Sequence, residues 1–364
     1  MTFRAGRCLY WWSGSPSTRR CHVNTLSGHS TPHAVPRDGD DFLEQAAAFR
    51  PELLAHCYRM LGSVHDAEDL VQETFLRAWR GYSGFEGRSS LRFWLYRIAT
   101  SACLTALHHR SRRVVPAGLG AASDDPHVPV EPAGAGIEWV QPMADPPPDP
   151  AAVVAERGSV RLALIVALQE LPPRQRAVLI LRDVLSWRAA EVAALLDTST
   201  AAVNSALQRA RERLDKAAPH EDDVHDSLDE RGRALVDSFA RAFQDADVAA
   251  LTRLLRDDVR LEMPPEPVWF ADRTVALGFL ERRVFPIAPD QRMLGLTVND
   301  GQPAVAAYWR GEDGAFQPHA VNVLTMRGRR VARVVVFRDP SLFALMGLPA
   351  TLAAGTAPDV SWRW

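Results

Sequence analysis

Residues 168–214 read LQELPPRQRAVLILRDVLSWRAAEVAALLDTSTAAVNSALQRARERL, a stretch with two short apolar stripes on either side of a polar turn. Val192 and Leu196 lie four residues apart, and Val203 and Leu207 repeat that helical spacing after the turn DTST. An apolar helical stretch precedes both stripes. Two short helices joined by a tight turn form a helix-turn-helix pattern, whose second helix typically enters the major groove of DNA.

The second helix of this pattern presents polar and basic side chains opposite its apolar stripe. Amide, hydroxyl and guanidinium groups hydrogen-bond to base edges and to phosphates. An ordinary helical hairpin with solvated arginines is the alternative interpretation. The candidate DNA-binding residues are Arg188, Thr200, Asn204, Gln208, Arg209, Arg211 and Arg213.

A second basic segment, FEGRSSLRFWLYRIATSACLTALHHRSRR at 85–113, has six arginines, one acid and four aromatic residues. Leu91, Leu95, Ile98 and Ala102 are spaced as the buried stripe of a helix, which directs the arginines and aromatics elsewhere. Arginines neutralise phosphates and aromatic rings stack on unpaired bases, so the segment favours melted or single-stranded DNA. A core aromatic helix with an arginine fringe is the alternative. The candidates are Arg88, Arg92, Phe93, Trp94, Tyr96, Arg97, Arg110, Arg112 and Arg113.

An acidic helix is predicted just before that segment, in SVHDAEDLVQETFLRAWR at 63–80. Ser63 followed three residues later by Asp66 is typical of a helix start. The polar face of the helix carries Asp66, Asp69, Gln72 and Glu73. Most acidic helix faces are simply solvated, and the residues alone leave that interpretation open.

The net charge of −2 conceals strong segregation of charge along the chain. Residues 114–158 carry seven acids and one arginine, and their DPPPDP and PAGAG runs predict a flexible acidic linker without helix or strand. A second acidic linker is predicted at 218–228. Residues 1–40, rich in Ser, Thr, Pro and Gly, predict a disordered extension. The linkers bound two helical domains, at 41–113 and 159–217.

Residues 229–341 predict an α+β domain, and 342–364 a C-terminal tail. The domain begins with two helical stretches and continues with strand patterns that turn at Asn299–Asp300–Gly301 and at Arg327–Gly328. Helices followed by antiparallel hairpins indicate the α+β class. The expected fold is therefore multidomain, with two all-α domains followed by an α+β domain.

Four motifs occur in order: DAEDLVQETFLRAW, FEGRSSLRFWLYRIATSACL, ELPPRQRAVLILRDV and AAEVAALLDTSTAAVNSALQRARERL. Together, over about residues 42–216, they resemble bacterial RNA polymerase sigma factors of the extracytoplasmic-function type. The resemblance implies core RNA polymerase and promoter DNA as partners. It implies that the acidic face docks on the clamp helices of the largest polymerase subunit, with the flap region as a further contact and the linker running toward the RNA exit path.

The same resemblance implies that residues around Phe85–Arg97 engage and open the minus-10 promoter element, and that the helix Thr200–Arg213 reads the minus-35 element. Two residues depart from the family pattern. Asp197 stands where the turn usually has glycine, and Asn204 where lysine or arginine is frequent. The turn is expected to survive because Asp tolerates left-handed backbone better than most residues. The departure at Asn204 puts the minus-35 base preference in doubt.

Residues 229–341, with the stretch MPPEPVWF, resemble the SnoaL-like, cone-shaped fold of polyketide cyclases and nuclear transport factor relatives. Such a fold implies an apolar pocket for a small-molecule ligand. The candidate pocket residues are Met263, Trp269, Phe270, Trp309, His319 and Phe337. A cyclase would need an acid/base pair, but no spacing places His319 beside Asp339 or Asp272. The sequence therefore favours a regulatory domain that is not an enzyme, with no catalytic residue and no cofactor assigned.

The predicted function is a sigma factor that directs promoter-specific initiation under control of its C-terminal domain. The alternatives are a ligand-sensing helix-turn-helix regulator independent of polymerase, and a bifunctional sigma factor with an active cyclase or isomerase domain. No apolar run approaches the ~20 residues that span a bilayer, so a cytoplasmic protein without membrane contact is expected. The four cysteines form no CxxC pair, and a metal site from Cys8, Cys21 and His22 is not predicted.

Overall fold

The computed structural model describes residues 39–108, 110–145, 161–217, 230–288, 290–354 and 361–362. The predicted disordered extension up to residue 38, the first linker beyond residue 145 and the whole linker at 218–228 lie outside these ranges.

The first helical module consists of α1 (Gly39–Ala47), α2 (Arg50–Leu61), α3 (Val64–Gly81) and α4 (Leu91–His108). Ser63 caps α3 as predicted, since its hydroxyl accepts a hydrogen bond from the backbone N–H of Asp66 at 3.2 Å. Gly62 ends α2 with a φ of 71°, the left-handed conformation that glycine adopts at low cost. These two residues form the connection between α2 and α3.

The second helical module consists of α5 (Leu162–Gln169), α6 (Pro173–Leu179), α7 (Ala189–Leu195) and α8 (Thr200–Ala217). A π-helical turn, Ile180–Val184, extends α6. Asp197 has a φ of 50° in the turn between α7 and α8, so it adopts the left-handed backbone expected of it. Val192, Val203 and Leu207 are buried, which confirms the helix-turn-helix stripes.

The C-terminal domain combines helices with one sheet. Its elements are α9 (Glu230–Gln244), α10 (Val248–Leu254), β1 (Leu255–Glu262), β2 (Trp269–Phe270), α11 (Arg273–Phe279), β3 (Gln291–Val298), β4 (Gln302–Arg310), β5 (Phe316–Arg327), β6 (Arg330–Phe337), α12 (Ser341–Leu345) and β7 (Ser361–Trp362). The strand order is β2-β1-β6-β5-β4-β3-β7. The β1–β6 and β3–β7 pairs are parallel, and the other neighbours are antiparallel. Two all-α modules followed by an α+β domain confirm the predicted fold class.

The two faces of the sheet belong to two different hydrophobic cores. Side chains alternate along a strand, so β4 directs Val305 and Ala307 to one face and Ala306 and Tyr308 to the other. The first face packs against α9, α10 and α11. The second face belongs to the same continuous core as the helical modules, which includes Tyr58 of α2. Burying this second face therefore joins the C-terminal domain to the helical modules.

Residues 114–145, here called the strap, are ordered against other parts of the molecule, so the prediction of a flexible linker is wrong for them. The backbone N–H of Ser123 donates to the Trp269 carbonyl at 2.8 Å, and that of Ala133 donates to the Pro265 carbonyl at 3.0 Å. The prolines and glycines do prevent a regular helix or strand. The backbone groups instead find hydrogen-bond partners in other segments.

The predicted C-terminal tail is also packed against the sheet. Phe343 of α12 meets Tyr308 edge to face, with ring centroids 5.0 Å apart. Leu352 and Phe316 exchange two backbone hydrogen bonds of 2.9 Å. Within the described ranges, no helix combines the length and apolarity that crossing a bilayer requires.

Candidate nucleic-acid interface

The face of α8 that the sequence assigns to DNA is accessible. Its exposed members are Thr200, Asn204, Gln208, Arg209, Arg211 and Arg213. Asp183 of the π-helical turn orients the Arg211 guanidinium through hydrogen bonds of 2.7 and 2.8 Å. Arg188 is exposed before α7, and its guanidinium pairs with Glu191 at 2.9 Å. The helix-turn-helix thus presents a basic, polar surface to solvent.

Three of the α4 residues assigned to DNA contact the second helical module instead. Trp187, just before α7, has its ring centroid 5.6 Å from Phe93 and 5.2 Å from Tyr96. The Arg92 guanidinium lies 5.7 Å from the Trp187 ring and also pairs with Glu52 at 2.7 Å. Each aromatic pair contributes about 0.5–1.5 kcal/mol beyond the area it buries. Trp187 therefore covers the aromatic face of α4.

The buried stripe of α4 differs from the one that helical spacing predicts. Tyr96 is fully buried, contrary to the prediction that it projects from the helix toward DNA. Leu91 and Ile98, assigned to the buried stripe, are half-buried. The stripe is wider because α4 packs against α2, α3 and α6, so more than one side of it meets a neighbour.

The start of α4 carries an aromatic cluster. Trp94 stacks on Phe85 with centroids 4.8 Å apart, and Tyr82 lies 6.5 Å from Trp94. Trp94 is half-buried, whereas Arg88 and Arg97 are exposed. Of the residues assigned to the minus-10 element, the exposed ones in the described conformation are Arg88, Arg97, Arg110 and Arg112.

The arginines that follow α4 pair with acids from other segments. Arg110 and Arg113 both donate to the carboxylate of Asp66, at the start of α3. Arg112 donates to Glu170, at the end of α5. The predicted minus-10 and polymerase-binding residues therefore contact one another, an arrangement that sequence spacing gives no means to predict.

The predicted acidic face of α3 includes two apolar residues that the sequence analysis missed. Asp69 and Gln72 are exposed, and Glu73 is half-buried. Leu76 and Trp79 are 50% and 54% exposed on the same side of the helix. Their positions, four and seven residues after Gln72, could have revealed them as part of this face.

A buried junction between the first module and the C-terminal domain was also missed. The Tyr58 hydroxyl donates to the Gln141 carbonyl at 2.7 Å and accepts from the Asn299 side-chain amide at 2.7 Å. The Ser63 hydroxyl donates to the Gln141 side chain at 2.8 Å. Burial raises the pKa of Tyr58 above its ordinary value, so the hydroxyl stays protonated. The junction joins α2, the strap and the β3–β4 turn.

The β3–β4 turn has a tight backbone conformation that places Asn299 in this junction. Asn299, Asp300 and Gly301 all have positive φ, as the predicted turn requires. The Asp145 carboxylate of the strap accepts hydrogen bonds from the backbone N–H groups of Asp300 and Gly301, at 2.6 and 2.8 Å. The sequence shows the turn but gives no signal that it docks on another module.

A buried arginine joins the two helical modules. The Arg176 guanidinium donates to the Met60 carbonyl, near the C-terminus of α2, and to the Gln169 side chain at 2.7 Å. Carbonyl groups at a helix C-terminus attract cations. Burial lowers the pKa of Arg176 to about 10, which still leaves it charged at neutral pH.

The candidate pocket residues of the C-terminal domain separate into two cores. Met263 and Phe270 are buried between the sheet and its own helices, whereas Phe337 is buried on the opposite face. The prediction of one pocket that includes Phe337 is therefore wrong. His319 lies at a bulge of β5 and stacks on Trp309, with centroids 3.4 Å apart.

The remaining candidates of this domain have structural partners. The Trp269 indole N–H donates to a strap carbonyl, that of Gly120, at 2.9 Å. Burial, aided by nearby Arg338, lowers the pKa of His319 to about 4. Asp272 caps α11, and Asp339 accepts from the backbone N–H at the start of α12. These contacts orient both carboxylates toward helix ends.

Metal-binding residues are not clustered in the part of the chain that the structure describes. Cys8, Cys21 and His22 lie outside it. Cys57 and Cys103, on α2 and α4, are buried as thiols in the first module.

An exposed recognition helix, an arginine-rich aromatic helix and an acidic–apolar helix face are typical of a DNA-binding protein with several modules. Comparison with family models matches residues 46–113 to Sigma-70 region 2 and residues 161–214 to Sigma-70, region 4. The chain is 44% identical to the ECF RNA polymerase sigma factor SigG of Mycobacterium tuberculosis (strain CDC 1551 / Oshkosh) over 339 residues, 92% of this chain and 91% of SigG.

The ECF RNA polymerase sigma factor SigJ of Mycobacterium tuberculosis (strain ATCC 25618 / H37Rv) is 34% identical over 165 residues, 45% of this chain and 47% of SigJ. A crystal structure of SigJ from Mycobacterium tuberculosis aligns with a TM-score of 0.54 at 24% identity, over 85% of this chain and 99% of that chain. This likeness shows a common fold.

The chain belongs to the ECF RNA polymerase sigma factors. This confirms the resemblance that its sequence motifs indicate. The first helical module is region 2, and the second is region 4.

Proposed function

We propose that this sigma factor binds core RNA polymerase in the cytoplasm and directs promoter-specific initiation. We further propose that the described conformation, in which region 4 packs on region 2, is its resting form, here called the closed form. Membership of the family supports the first part. The match of both DNA-binding modules to sigma regions favours this function over a regulator that acts without polymerase. Direct packing of region 2 on region 4 supports the second part.

The α3 surface is the proposed docking site for the polymerase. Asp69, Gln72, Leu76 and Trp79 form one exposed stripe in which acidic and polar groups flank two large apolar side chains. Exposed apolar residues rimmed by polar ones are typical of protein-binding surfaces. On α8, Asn204 and Gln208 are the proposed readers of the minus-35 element, because side-chain amides pair with adenine edges.

The position of Trp187 is the main observation that supports the closed form. A base of the minus-10 element cannot stack on Phe93 while the Trp187 ring occupies that face at 5.6 Å. Arg92 is likewise held, by Glu52 and the same tryptophan. Promoter opening by these residues therefore requires region 4 to move away from region 2.

The C-terminal domain is the proposed regulator of this movement. It holds region 2 through the Tyr58–Gln141–Asn299 junction, and its sheet shares a core with both sigma regions. We assign it a regulatory role, without catalysis, because the carboxylates considered for an acid/base pair with His319 cap helix ends. A small-molecule ligand in this domain remains a prediction.

Run-off transcription with purified core polymerase and limiting full-length sigma factor tests the proposal. Tyr58→Phe leaves buried hydrogen-bond partners unsatisfied, which costs the closed form about 1–3 kcal/mol. Trp187→Leu removes the aromatic cover while keeping an apolar side chain. Both variants should produce several-fold more transcript than the natural chain.

Tyr308→Phe is the matched control, since it keeps the aromatic ring in the shared core and removes a hydroxyl that donates to the Pro349 carbonyl of the C-terminal domain at 2.9 Å. It should lower the stability of that domain without raising transcription. A natural chain that leaves core polymerase inactive at every promoter would reject the sigma function. Normal initiation with identical transcript from all four proteins would reject the closed form.

A further inference from the structure

A cleft of about 320 Å³ lies where region 2, region 4 and the strap meet. Opposite charges line it, with four arginines against three carboxylates. The lining residues of this charged cleft that carry a charge are Asp66, Arg110, Arg112, Arg113, Glu138, Glu170 and Arg176. Three different segments supply the carboxylates: α3, the strap and the residue after α5.

Among these carboxylates, Asp66 pairs with two of the arginines. One of its oxygens, Oδ2, accepts from both Arg110 and Arg113. The Asp66 and Arg113 side chains are 17% and 13% exposed, so their pairing is largely shielded from solvent. The Glu138 carboxylate lies 3.4 Å from Arg113 as a secondary partner. Asp66 also lies in the first turn of α3, where the helix dipole stabilises a carboxylate.

A carboxylate and a phosphate present the same geometry to a guanidinium, namely two acceptor oxygens in one plane. A group that already binds a carboxylate must release it before it can neutralise a phosphate. We infer that Asp66 is an internal competitor for nucleic-acid phosphates: it occupies Arg110 and Arg113 in the unbound chain and limits their access to DNA.

This inference rests on the proposed function for its biological meaning, because Asp66 lies beside the α3 stripe assigned to polymerase. Any partner that draws the Asp66 carboxylate away from the cleft releases Arg110 for phosphates and leaves Arg113 with Glu138 as its more distant carboxylate. Such linkage is reciprocal, so DNA bound at the arginines also exposes Asp66 to that partner. The polymerase-binding and DNA-binding surfaces of region 2 are thereby coupled through one side chain.

The test compares two variants that change charge identically. Asp66→Asn removes the competitor, whereas Asp69→Asn removes an exposed carboxylate from the same helix. The full-length proteins, without polymerase, are titrated with a fluorescein-labelled single-stranded DNA oligonucleotide at a series of salt concentrations. Asp66→Asn should bind more tightly than Asp69→Asn. Its plot of log affinity against log salt should be steeper by about 0.7 for each phosphate gained.

Adding Arg110→Gln to Asp66→Asn should remove most of that gain, which separates released arginines from a general change of fold. Thermal unfolding of each variant shows that it remains folded. Equal affinity and equal salt dependence for Asp66→Asn and Asp69→Asn would overturn the inference. Because this assay contains no polymerase, that result would not contradict the sigma function. Failed run-off transcription would reject the sigma function without contradicting the competition between Asp66 and phosphates.

Discussion

The stability of region 2 is expected to depend on pH through one buried residue, His56. It is fully buried on α2, with Nε2 2.9 Å from the Thr100 hydroxyl. Burial, with a smaller effect of Arg59, lowers the pKa of His56 to about 3. The folded chain therefore keeps this histidine neutral at pH values where an unfolded histidine, with a pKa near 6.5, binds a proton.

Stability should consequently fall as the pH drops from about 6.5 toward 3, since in that window the unfolded chain binds more protons than the folded one. One such histidine contributes a slope of up to about 1.4 kcal/mol per pH unit. His56→Gln should flatten the dependence of the free energy of unfolding on pH, measured by urea denaturation across this range. His127→Gln, at an exposed position of the strap, is the matched control for the substitution. An unchanged slope in His56→Gln would contradict the assignment.

Individual residues were predictable where local geometry decides their role. Ser63 as a helix cap and Asp197 in a left-handed turn follow from short-range hydrogen bonding and sterics, and both are confirmed. Tyr96 and Asn299 were not, because their environment is created by segments far away in the sequence. An aromatic residue on a basic helix has the same local pattern whether it meets a base or a tryptophan of the next module.

Helix α3 is buried on one side and exposed on the other. Ala67, Val71 and Ala78 are buried, as their helical spacing predicts. The opposite side carries Leu76 and Trp79 among polar residues. Large apolar groups at half exposure contribute little to folding, so their value to the protein is expected to lie in binding.

Leu76→Gln should therefore separate binding from stability. Its free energy of unfolding should stay within about 0.5 kcal/mol of the natural value, as for most surface substitutions. Its affinity for core polymerase should fall about tenfold, because burying a leucine contributes about 1.5–3 kcal/mol. Ile287→Gln, at a site 67% exposed in the C-terminal domain, is the control. Both quantities are measured on full-length protein, by denaturation and by fluorescence anisotropy, and equal polymerase affinities for the two variants would exclude Leu76 from the interface.

Helices and hairpins with an apolar repeat were predictable as elements, but the strap was not. Its composition rightly predicts the absence of α-helix and of extended strand over 114–145, where the one short helical element is the 3₁₀ turn Pro116–Gly118. Composition does not show whether backbone groups bond to water or to protein. Here Ala133 bonds to the C-terminal domain and Gln141 to region 2, so an irregular segment has fixed partners on two modules.

Within the described residues, the sheet joins the C-terminal domain to the sigma regions, because it has a core on each face. One face completes the C-terminal domain, and the other is continuous with the cores of the sigma regions. Sequence patterns predict each module but not how the modules pack together. The residues of β4 indicate that both faces of the sheet are apolar, but they do not indicate which segments cover each face. Opening the sigma regions must therefore expose part of the second face or transfer it to a new partner.

Hydrogen exchange can show which part of the strap moves when the polymerase binds. The backbone N–H of Gln141 donates to Gly62 of region 2 at 2.9 Å, whereas that of Ala133 donates to Pro265 of the C-terminal domain at 3.0 Å. Exchange is slow while such bonds persist and fast once they open. On addition of core polymerase, the peptide containing Gln141 should lose protection, because region 2 leaves its place beside the strap. The peptide containing Ala133 should keep its protection, since its partner stays within the same domain. Retained protection at Gln141 in the complex would mean that region 2 binds polymerase without leaving the C-terminal domain, and the closed form would then not be a resting form.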